Sequence, residues 1–239
     1  MSRAPMESRD EGSDVRKFYA REAERDGGVG YRAKISQVSR FMAVLKEFPG
    51  IRGGRVLDVG CGTGDFAEWL SATGRCPELY RGIDITPEVI EIAERRYEHS
   101  RVTEPEIGGW GHCMFECVDV DDVDIEPVER PDYVVAITAF MVKERTVENS
   151  QRIFRNVLNR MWDLATVGVA VDFLSPRAKR IDDNVAPVPE MMAFEWGKAL
   201  TDRVKLDFSY APHAYTLFLL KGKSEFQRQW DESGGWRSA

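Results

Sequence analysis

The chain alternates short apolar runs with segments whose apolar residues recur at helical spacing. Residues 56–59 and 167–173 are almost wholly apolar, which is typical of strands buried inside a parallel sheet. Phe66, Trp69 and Leu70 follow the spacing of one helix face. The alternation continues with strands over residues 79–84 and 133–137, and with a third strand between them that follows His112 and ends before Asp119. It also contains a helix that Thr86 caps and Pro87 begins, and a helix through Ile153 and Trp162. This pattern predicts an α/β fold.

Two further strands are predicted at the end of this alternation. They cover residues 204–210 and 214–220, and the short link Ala211-Pro212-His213 leaves room only for an antiparallel hairpin. A polar loop at residues 175–189 and a helix around residues 191–200 precede the hairpin.

A helical segment precedes the first strand. The pattern divides the chain into a disordered tail at 1–14, a helical lid at 15–50 broken by glycines, a ligand-binding domain at 51–223 and a second tail at 224–239. One apolar stripe marks the expected buried face of the lid, formed by Ile35, Val38, Phe41, Met42 and Leu45.

A turn rich in glycine joins the first strand to the helix that follows it. Gly60, Gly62 and Gly64 alternate there with Cys61 and Thr63. Glycine suits such a turn because its backbone reaches dihedral angles closed to other residues, and because a ligand can approach without a Cβ in the way. The turn therefore predicts a small-molecule site.

An acid at the end of the second strand indicates the kind of ligand. Asp84 lies about two dozen residues after Gly60, which puts a carboxylate at the tip of the neighbouring strand. One carboxylate can accept hydrogen bonds from both hydroxyls of a ribose. The expected ligand therefore carries a nucleoside.

The spacing of the glycines separates two classes of nucleoside cofactor. Nicotinamide enzymes use Gly-x-Gly-x-x-Gly, whose backbone amides surround a pyrophosphate. Here the third glycine comes one residue early and Asp65 takes the sixth position. A carboxylate at a helix start repels a pyrophosphate but tolerates a cationic donor without phosphate, such as S-adenosylmethionine.

Residues 56–70, 83–97 and 115–119 resemble successive motifs of the class I S-adenosylmethionine-dependent methyltransferases. The resemblance implies a doubly wound, mostly parallel seven-stranded sheet with an antiparallel last strand. It also implies that S-adenosyl-L-methionine is the cofactor and that S-adenosyl-L-homocysteine is its product.

The same resemblance implies roles for individual residues. Asp58 would meet the amino group of the methionine part, Asp84 would take the ribose hydroxyls, and Asp119 would accept from the adenine amine. An apolar neighbour of Asp119 would cover the adenine ring, and the end of the fourth strand would lie beside the methyl acceptor. The cofactor-binding positions expected in this way are Asp58, Gly60, Cys61, Gly62, Asp84, Ile85, Asp119, Val120 and Ile137.

Composition bears on the size of the core, the location of the protein and its capacity to bind metal. The chain has 239 residues, of which 43% are apolar, enough to bury one substantial core. It has no apolar run of membrane-spanning length and no signal-like N-terminus, so we expect a cytoplasmic protein without a membrane partner. Its four cysteines lack the spacing of a zinc site, so no metal is expected.

Charge and the fourth strand bear on the methyl acceptor. A net charge of -7 without a concentrated Lys/Arg stripe argues against a nucleic acid. Residues 136–140 also lack the Asn/Asp-Pro-Pro-aromatic motif of family members that methylate bases. We expect transfer to an oxygen or nitrogen of a small-molecule acceptor, such as a metabolite, a sugar or a natural-product intermediate, by a monomer or homodimer.

The sequence offers candidates for a general base rather than one clear residue. Transfer from a sulfonium depends mainly on orientation, so a base is needed only for a hydroxyl or a protonated amine. The candidates are His213 in the last turn and Tyr19 and Tyr31 in the lid. Two alternatives stay open: a non-catalytic S-adenosylmethionine-binding protein and a nicotinamide-dependent oxidoreductase.

Overall fold

Seven strands form one sheet in the computed structural model, which describes Arg21, residues 34–103 and residues 112–222. The strands are β1 Arg55–Val59, β2 Leu79–Asp84, β3 His112–Cys117, β4 Tyr133–Ala136, β5 Gly168–Leu174, β6 Val204–Asp207 and β7 Ala214–Leu220. Their order is β3-β2-β1-β4-β5-β7-β6. Only β7 runs antiparallel to its neighbours. The predicted mostly parallel α/β sheet with an antiparallel last strand is confirmed.

Helices cover both faces of this sheet. Within the described residues the α-helices with stated bounds are α1 Lys34–Glu47, α2 Asp65–Ala72, α3 Pro87–Thr103, α4 Val147–Leu164 and α5 Glu190–Lys198. Successive strand residues point to opposite faces, so Leu57 packs in the cluster under α4 and α5, whereas Val56 packs in the cluster under α1 and α2. None of the helices in the described part is long and apolar enough to cross a membrane.

The third strand lies earlier in the chain than its pattern suggests. Its pairing with β2 runs from the Leu79–His112 pair to the Asp84–Cys117 pair, so the prediction that His112 precedes the strand is wrong, whereas Asp119 follows the strand as predicted. Asp119 follows the strand and accepts a hydrogen bond from the Asp121 amide at 3.0 Å, which turns the chain away from the sheet.

Two other strands end early because the backbone turns. β4 stops at Ala136 rather than Ile137, since Thr138 has a left-handed φ of 62° that no ladder accommodates. β6 stops at Asp207 rather than Tyr210, where the Asp207 carboxylate accepts from the Ser209 amide at 2.8 Å. The apolar pattern therefore predicts strands that are too long, because polar residues turn the backbone before the apolar run ends.

The helix α1 of the predicted lid buries only part of the predicted face. Phe41 is buried and Leu45 packs against the core as predicted, but Ile35 and Met42 are 81% and 60% exposed. The prediction is wrong at these two positions because an ion pair of the buried Arg40 with the sheet turns a neighbouring side of the helix inward. Tyr19, Tyr31 and both predicted tails lie outside the described residues.

The cap expected at the start of α3 has a different origin. The Thr86 carbonyl accepts the first helical bond from the Ile90 amide at 3.4 Å, as an N-cap residue does. Its hydroxyl, however, is buried and has no hydrogen-bond partner within the described chain. Thr86 therefore lies at the predicted cap position and Pro87 begins the helix, but the cap uses the Thr86 carbonyl rather than its side chain, and the Thr86 amide donates to Asp84 at 2.9 Å.

We expect Gly82→Ala to destabilise the sheet beneath the glycine turn. A Cβ at this position of β2 would lie 2.7 Å from the Phe115 ring and 2.9 Å from Cys61 Sγ. Overpacking of this kind costs about 1–3 kcal/mol of the free energy of unfolding, measured by urea denaturation. Phe115→Leu in the same chain should recover part of the loss, and an unchanged Gly82→Ala variant would contradict this close packing.

Candidate functional site

The glycine turn after β1 has the backbone conformation that its sequence predicts. Gly60, Gly62 and Gly64 have φ values of 71°, 54° and 79°. A Cβ on Gly60 would lie 2.5 Å from the Ala139 Cβ, and one on Gly64 would lie 3.1 Å from the Phe115 ring. The left-handed backbone therefore explains all three glycines. At Gly60 and Gly64 the missing Cβ makes room for other side chains of the protein.

The amides of this turn are used inside the protein. Gly60 and Cys61 both donate to the Ile83 carbonyl, at 2.8 and 3.0 Å, and Gly64 donates to the Cys61 carbonyl at 3.1 Å. Gly62 donates to Asp84 Oδ2 at 3.1 Å. A pyrophosphate-binding turn directs its amides at the ligand. These four bonds therefore favour a ligand without phosphate.

Asp84 lies at the end of β2 with its carboxylate fixed by two amides. Oδ2 accepts from Gly62 at 3.1 Å and Oδ1 accepts from Thr86 at 2.9 Å. Burial raises the pKa of Asp84, and these amide bonds oppose the rise. A carboxylate has about four lone-pair positions, so each oxygen keeps capacity for a ribose hydroxyl.

Asp58 lies below the turn, in the last part of β1. Its side chain is 3% exposed and accepts a hydrogen bond from the Tyr80 hydroxyl. Burial raises the pKa of Asp58 to about 7, although the Tyr80 bond opposes the rise. The nearby carboxylates of Asp84 and Asp65 raise it further. A cation bound above the turn would favour the ionised form of this carboxyl group.

Asp65 begins α2, and its charge is compensated by a neighbour. Oδ1 accepts from Arg96 on α3 at 2.8 Å, and Oδ2 accepts from Gln37 on α1 at 2.9 Å. The expected repulsion of a pyrophosphate by Asp65 is therefore not what distinguishes this turn. That distinction comes from the amides that the turn uses internally.

The remaining predicted cofactor residues lie along the same edge of the sheet. Cys61 is buried, and burial raises the pKa of its thiol well above the ordinary value, so the thiol is neutral. Ile85 and Asp119 are half-buried after β2 and β3, and Ile137 is buried after β4. Val120 lies within the hydrophobic core.

His213 lies at this edge too, on its far side. Its carbonyl accepts from the Ser175 amide at 3.0 Å, which places it between β5 and β7. β1 and β7 are separated by three strand spacings, or about 14 Å. Within the described ranges, no group of three His, Cys, Asp or Glu residues is arranged to hold a metal ion.

The sequence interpretation missed three residues that meet beside the turn. Asp172 in β5 accepts from Arg40 Nε at 2.7 Å and from the Thr138 amide. The signal was present, since Asp172 is the one charged residue in the apolar run 168–174. Its partner Arg40 is distant in sequence, and nothing in the sequence marks Thr138 as left-handed.

Comparison with known proteins agrees with this geometry. A family model described as a methyltransferase domain matches residues 56–161, which contain the glycine turn, Asp84 and Asp119. Residues 56–161 therefore form a methyltransferase domain, and the sheet has the fold of the class I S-adenosylmethionine-dependent methyltransferases. The methyltransferase match identifies S-adenosylmethionine as the cofactor rather than a nicotinamide nucleotide. The internal hydrogen bonds of the turn amides favour the same cofactor.

Solved structures share the fold of this methyltransferase at low sequence identity. Magnesium protoporphyrin IX methyltransferase from Synechocystis PCC 6803 with bound SAH is 15% identical, with a TM-score of 0.60 over 87% of this chain and 98% of that one. The small RNA methyltransferase HEN1 is 12% identical, with a TM-score of 0.62 over 82% of this chain and 26% of that one.

A third structure is an S-adenosylmethionine-dependent methyltransferase from Clostridium acetobutylicum. It is 11% identical, with a TM-score of 0.56 over 86% of this chain and 98% of that one. No curated protein matches the sequence at a significant level.

The residues of this methyltransferase fit its cofactor. Two carboxyl groups, those of Asp84 at the end of β2 and of the buried Asp58 beneath the turn, suit a donor that carries a sulfonium and an ammonium charge, and no turn amide described above needs a phosphate partner. The donor, when bound, supplies a methyl group already activated by the positive sulfur. The protein has to hold and orient it.

We expect Asp58 to make the stability of the methyltransferase depend on pH. The folded chain holds the Asp58 proton up to about pH 7, whereas the unfolded chain releases it near the ordinary value of 3.8. Its contribution to the free energy of unfolding is therefore complete below about pH 4 and is lost as the pH rises to about 7.

The measurement is urea denaturation of the wild type and of Asp58→Asn between about pH 4 and 8. Asn keeps an acceptor for Tyr80 but cannot titrate. Stability of the wild type relative to the variant should fall by on the order of 1 kcal/mol per pH unit across this window. Parallel curves would show that Asp58 is already ionised at acid pH.

Proposed function

We propose that the protein transfers the methyl group of S-adenosylmethionine to an oxygen or nitrogen of a small-molecule acceptor. The observation that carries this proposal is the arrangement of the loops after β4 and β5, which border the acceptor side of the site. Val142 and Val185 form an antiparallel bridge between these loops. The Lys143 amide donates to Asn184 at 2.7 Å, and the Ala186 amide donates to Met141 at 2.8 Å.

Both loops are also held down on the body of the protein. Ala186 and Val188 are fully buried in the core, and Gln151 of α4 donates to the Pro187 carbonyl at 2.8 Å. Loops packed in this way do not project as a platform for a folded macromolecule. They support an acceptor small enough to enter beside the donor.

The charge of the protein supports the same acceptor class. Nucleic-acid binding needs cations that neutralise phosphates. The chain has a net charge of -7, and two arginines of the helices that pack beside the glycine turn, Arg40 and Arg96, are bound to Asp172 and Asp65. One fold neighbour is named as a small RNA methyltransferase. The electrostatics of this chain favour the small-molecule alternative.

We propose the following roles for the donor-binding residues. Asp84 accepts the ribose hydroxyls beside Ile85, and Asp58 holds the charged amino group of the methionine part. Asp119 and its neighbour Val120 lie on the adenine side. The methionine part lies against the turn and the end of β4, through Gly60, Cys61, Gly62 and Ile137.

These residues accelerate transfer by holding donor and acceptor in line. Orientation alone can lower the barrier by several kcal/mol, on the order of 7–11 for well-aligned groups. An amine acceptor needs no base once it is neutral, whereas a hydroxyl acceptor needs one. For that case we propose His213, which lies at the same edge of the sheet, in the turn before β7.

The proposed function is tested by transfer of a tritiated methyl group from S-adenosylmethionine. The purified protein is offered a panel of small hydroxyl and amine compounds and, separately, total RNA and DNA. We expect label in the small-molecule fraction. Label in RNA or DNA would contradict the acceptor class, and binding of S-adenosylhomocysteine without transfer to any acceptor would favour the non-catalytic alternative.

We expect Asp84→Ala to abolish most of the donor affinity. The variant loses the acceptor of the ribose hydroxyls and releases the Gly62 amide, so S-adenosylhomocysteine should bind at least about tenfold more weakly by calorimetry. Glu88→Ala, an exposed acid in the first turn of α3, is the matched control and should bind as the wild type does. Equal affinities for all three proteins would contradict the ribose role.

A further inference from the structure

A buried ion pair joins the lid helix to the sheet beside the donor site. Arg40 of α1 and Asp172 of β5 are 3% and 2% exposed, and Arg40 Nε lies 2.7 Å from Asp172 Oδ2. Arg40 also donates to the Ser36 carbonyl at 2.8 Å within α1. Buried pairs of this kind are often no more stabilising than apolar residues of the same size. The position of Asp172 therefore calls for an explanation other than stability.

The second oxygen of Asp172 has a different partner. Oδ1 accepts a hydrogen bond from the backbone amide of Thr138, just after β4. Thr138 has a φ of 62°, a conformation that is unfavourable for a β-branched residue. Such a backbone persists only where its surroundings hold it. The bond to Asp172 is one such restraint, and it acts on the strained peptide itself.

The residue after Thr138 touches the donor turn. Ala139 packs against Gly60 so closely that a Cβ on Gly60 would lie 2.5 Å from the Ala139 Cβ. A change in the backbone at Thr138 therefore moves Ala139 relative to the glycine turn. The contacts form one continuous path from Asp172 through Thr138 and Ala139 to Gly60.

We propose that Asp172 is a positioning residue for methyl transfer, which fixes the strained Thr138 backbone so that Ala139 shapes the donor turn. This proposal rests on the donor site proposed above. Arg40 has the supporting role of keeping the Asp172 carboxylate ionised and oriented. A purely structural role would need the Arg40 bond alone, whereas the positioning role needs the Oδ1 acceptor.

Two double variants separate these roles. Asp172→Asn/Arg40→Met removes both charges but keeps an oxygen that can accept from Thr138, whereas Asp172→Leu/Arg40→Met removes both charges and the acceptor. Each loses the contacts of Arg40 equally. The readout is the affinity for S-adenosylhomocysteine by calorimetry, with urea denaturation as the measure of folding.

We expect the Asn double variant to bind S-adenosylhomocysteine within about threefold of the wild type, and the Leu double variant to bind at least about tenfold more weakly than the Asn double variant. The two double variants differ in whether residue 172 can accept a hydrogen bond, so this difference in affinity would support the positioning role. Equal affinities of the two double variants would overturn it, whatever their affinity relative to the wild type.

A second pair of variants tests the backbone without touching the ion pair. Thr138→Pro removes the amide donor and fixes φ near about -65°, whereas Thr138→Gly keeps the donor and adopts a positive φ freely. We expect at least about a tenfold loss of affinity for the Pro variant and a change within about threefold for the Gly variant. Equal affinities would overturn the proposal even if the Leu double variant does not fold.

The probe makes the outcomes distinguishable. S-adenosylhomocysteine reports on the donor site, so the result does not depend on the class of acceptor that the protein methylates. A wild type that binds no S-adenosylhomocysteine would overturn the donor site and this inference together. A wild type that binds it, with variants that all bind alike, would overturn the inference alone.

Discussion

The carboxyl ends of β1 and β2 share a set of hydrogen bonds on which the candidate site depends. The Ile83 carbonyl takes two amides of the glycine turn, and the Asp84 carboxylate takes a third. A turn with three left-handed glycines loses much conformational entropy on folding, so it needs such bonds to hold one shape. The same bonds orient Asp84 and remove the amides that a phosphate would need. Shape and ligand class therefore have one origin.

The lid helix α1 connects the two halves of the site through polar contacts. Gln37 binds Asp65 at the start of α2, on the donor side, and Arg40 binds Asp172 in β5, one turn further along the helix. Both contacts join residues far apart in the chain. They explain why the helix shows apolar residues to solvent at Ile35 and Met42, since the face with Arg40 must lie inward. Specific polar pairing outweighs the apolar pattern here.

The sequence predicts those parts of the fold that follow from local pattern. The apolar runs predict the strands, and the spacing from Gly60 to Asp84 predicts that the carboxyl ends of β1 and β2 meet at the site. Strand ends differ from the prediction where the backbone turns, as at Thr138 and Asp207. The pattern shows an acid at position 207 but not which amide it binds.

The candidate site was predictable to the extent that its residues are local to the glycine turn. Asp65 shows why the rest was not. Its charge at a helix start is visible in the sequence, but its neutralisation by Arg96 depends on how α2 and α3 pack. Thr138 is a stronger case, since its left-handed backbone needs an acceptor on β5 that is distant in the chain. Long-range pairing, not composition, decides both positions.

The carboxyl groups of the site differ in the kind of group that binds them. Asp65 and Asp172 each face an arginine. Asp58 and Asp84 have only hydroxyl and amide donors among the hydrogen bonds described above. Among these bonds neither carboxyl group has a cationic partner, and burial raises the pKa of both. A cationic donor such as S-adenosylmethionine would therefore stabilise their ionised forms, which couples donor binding to the charge of the site.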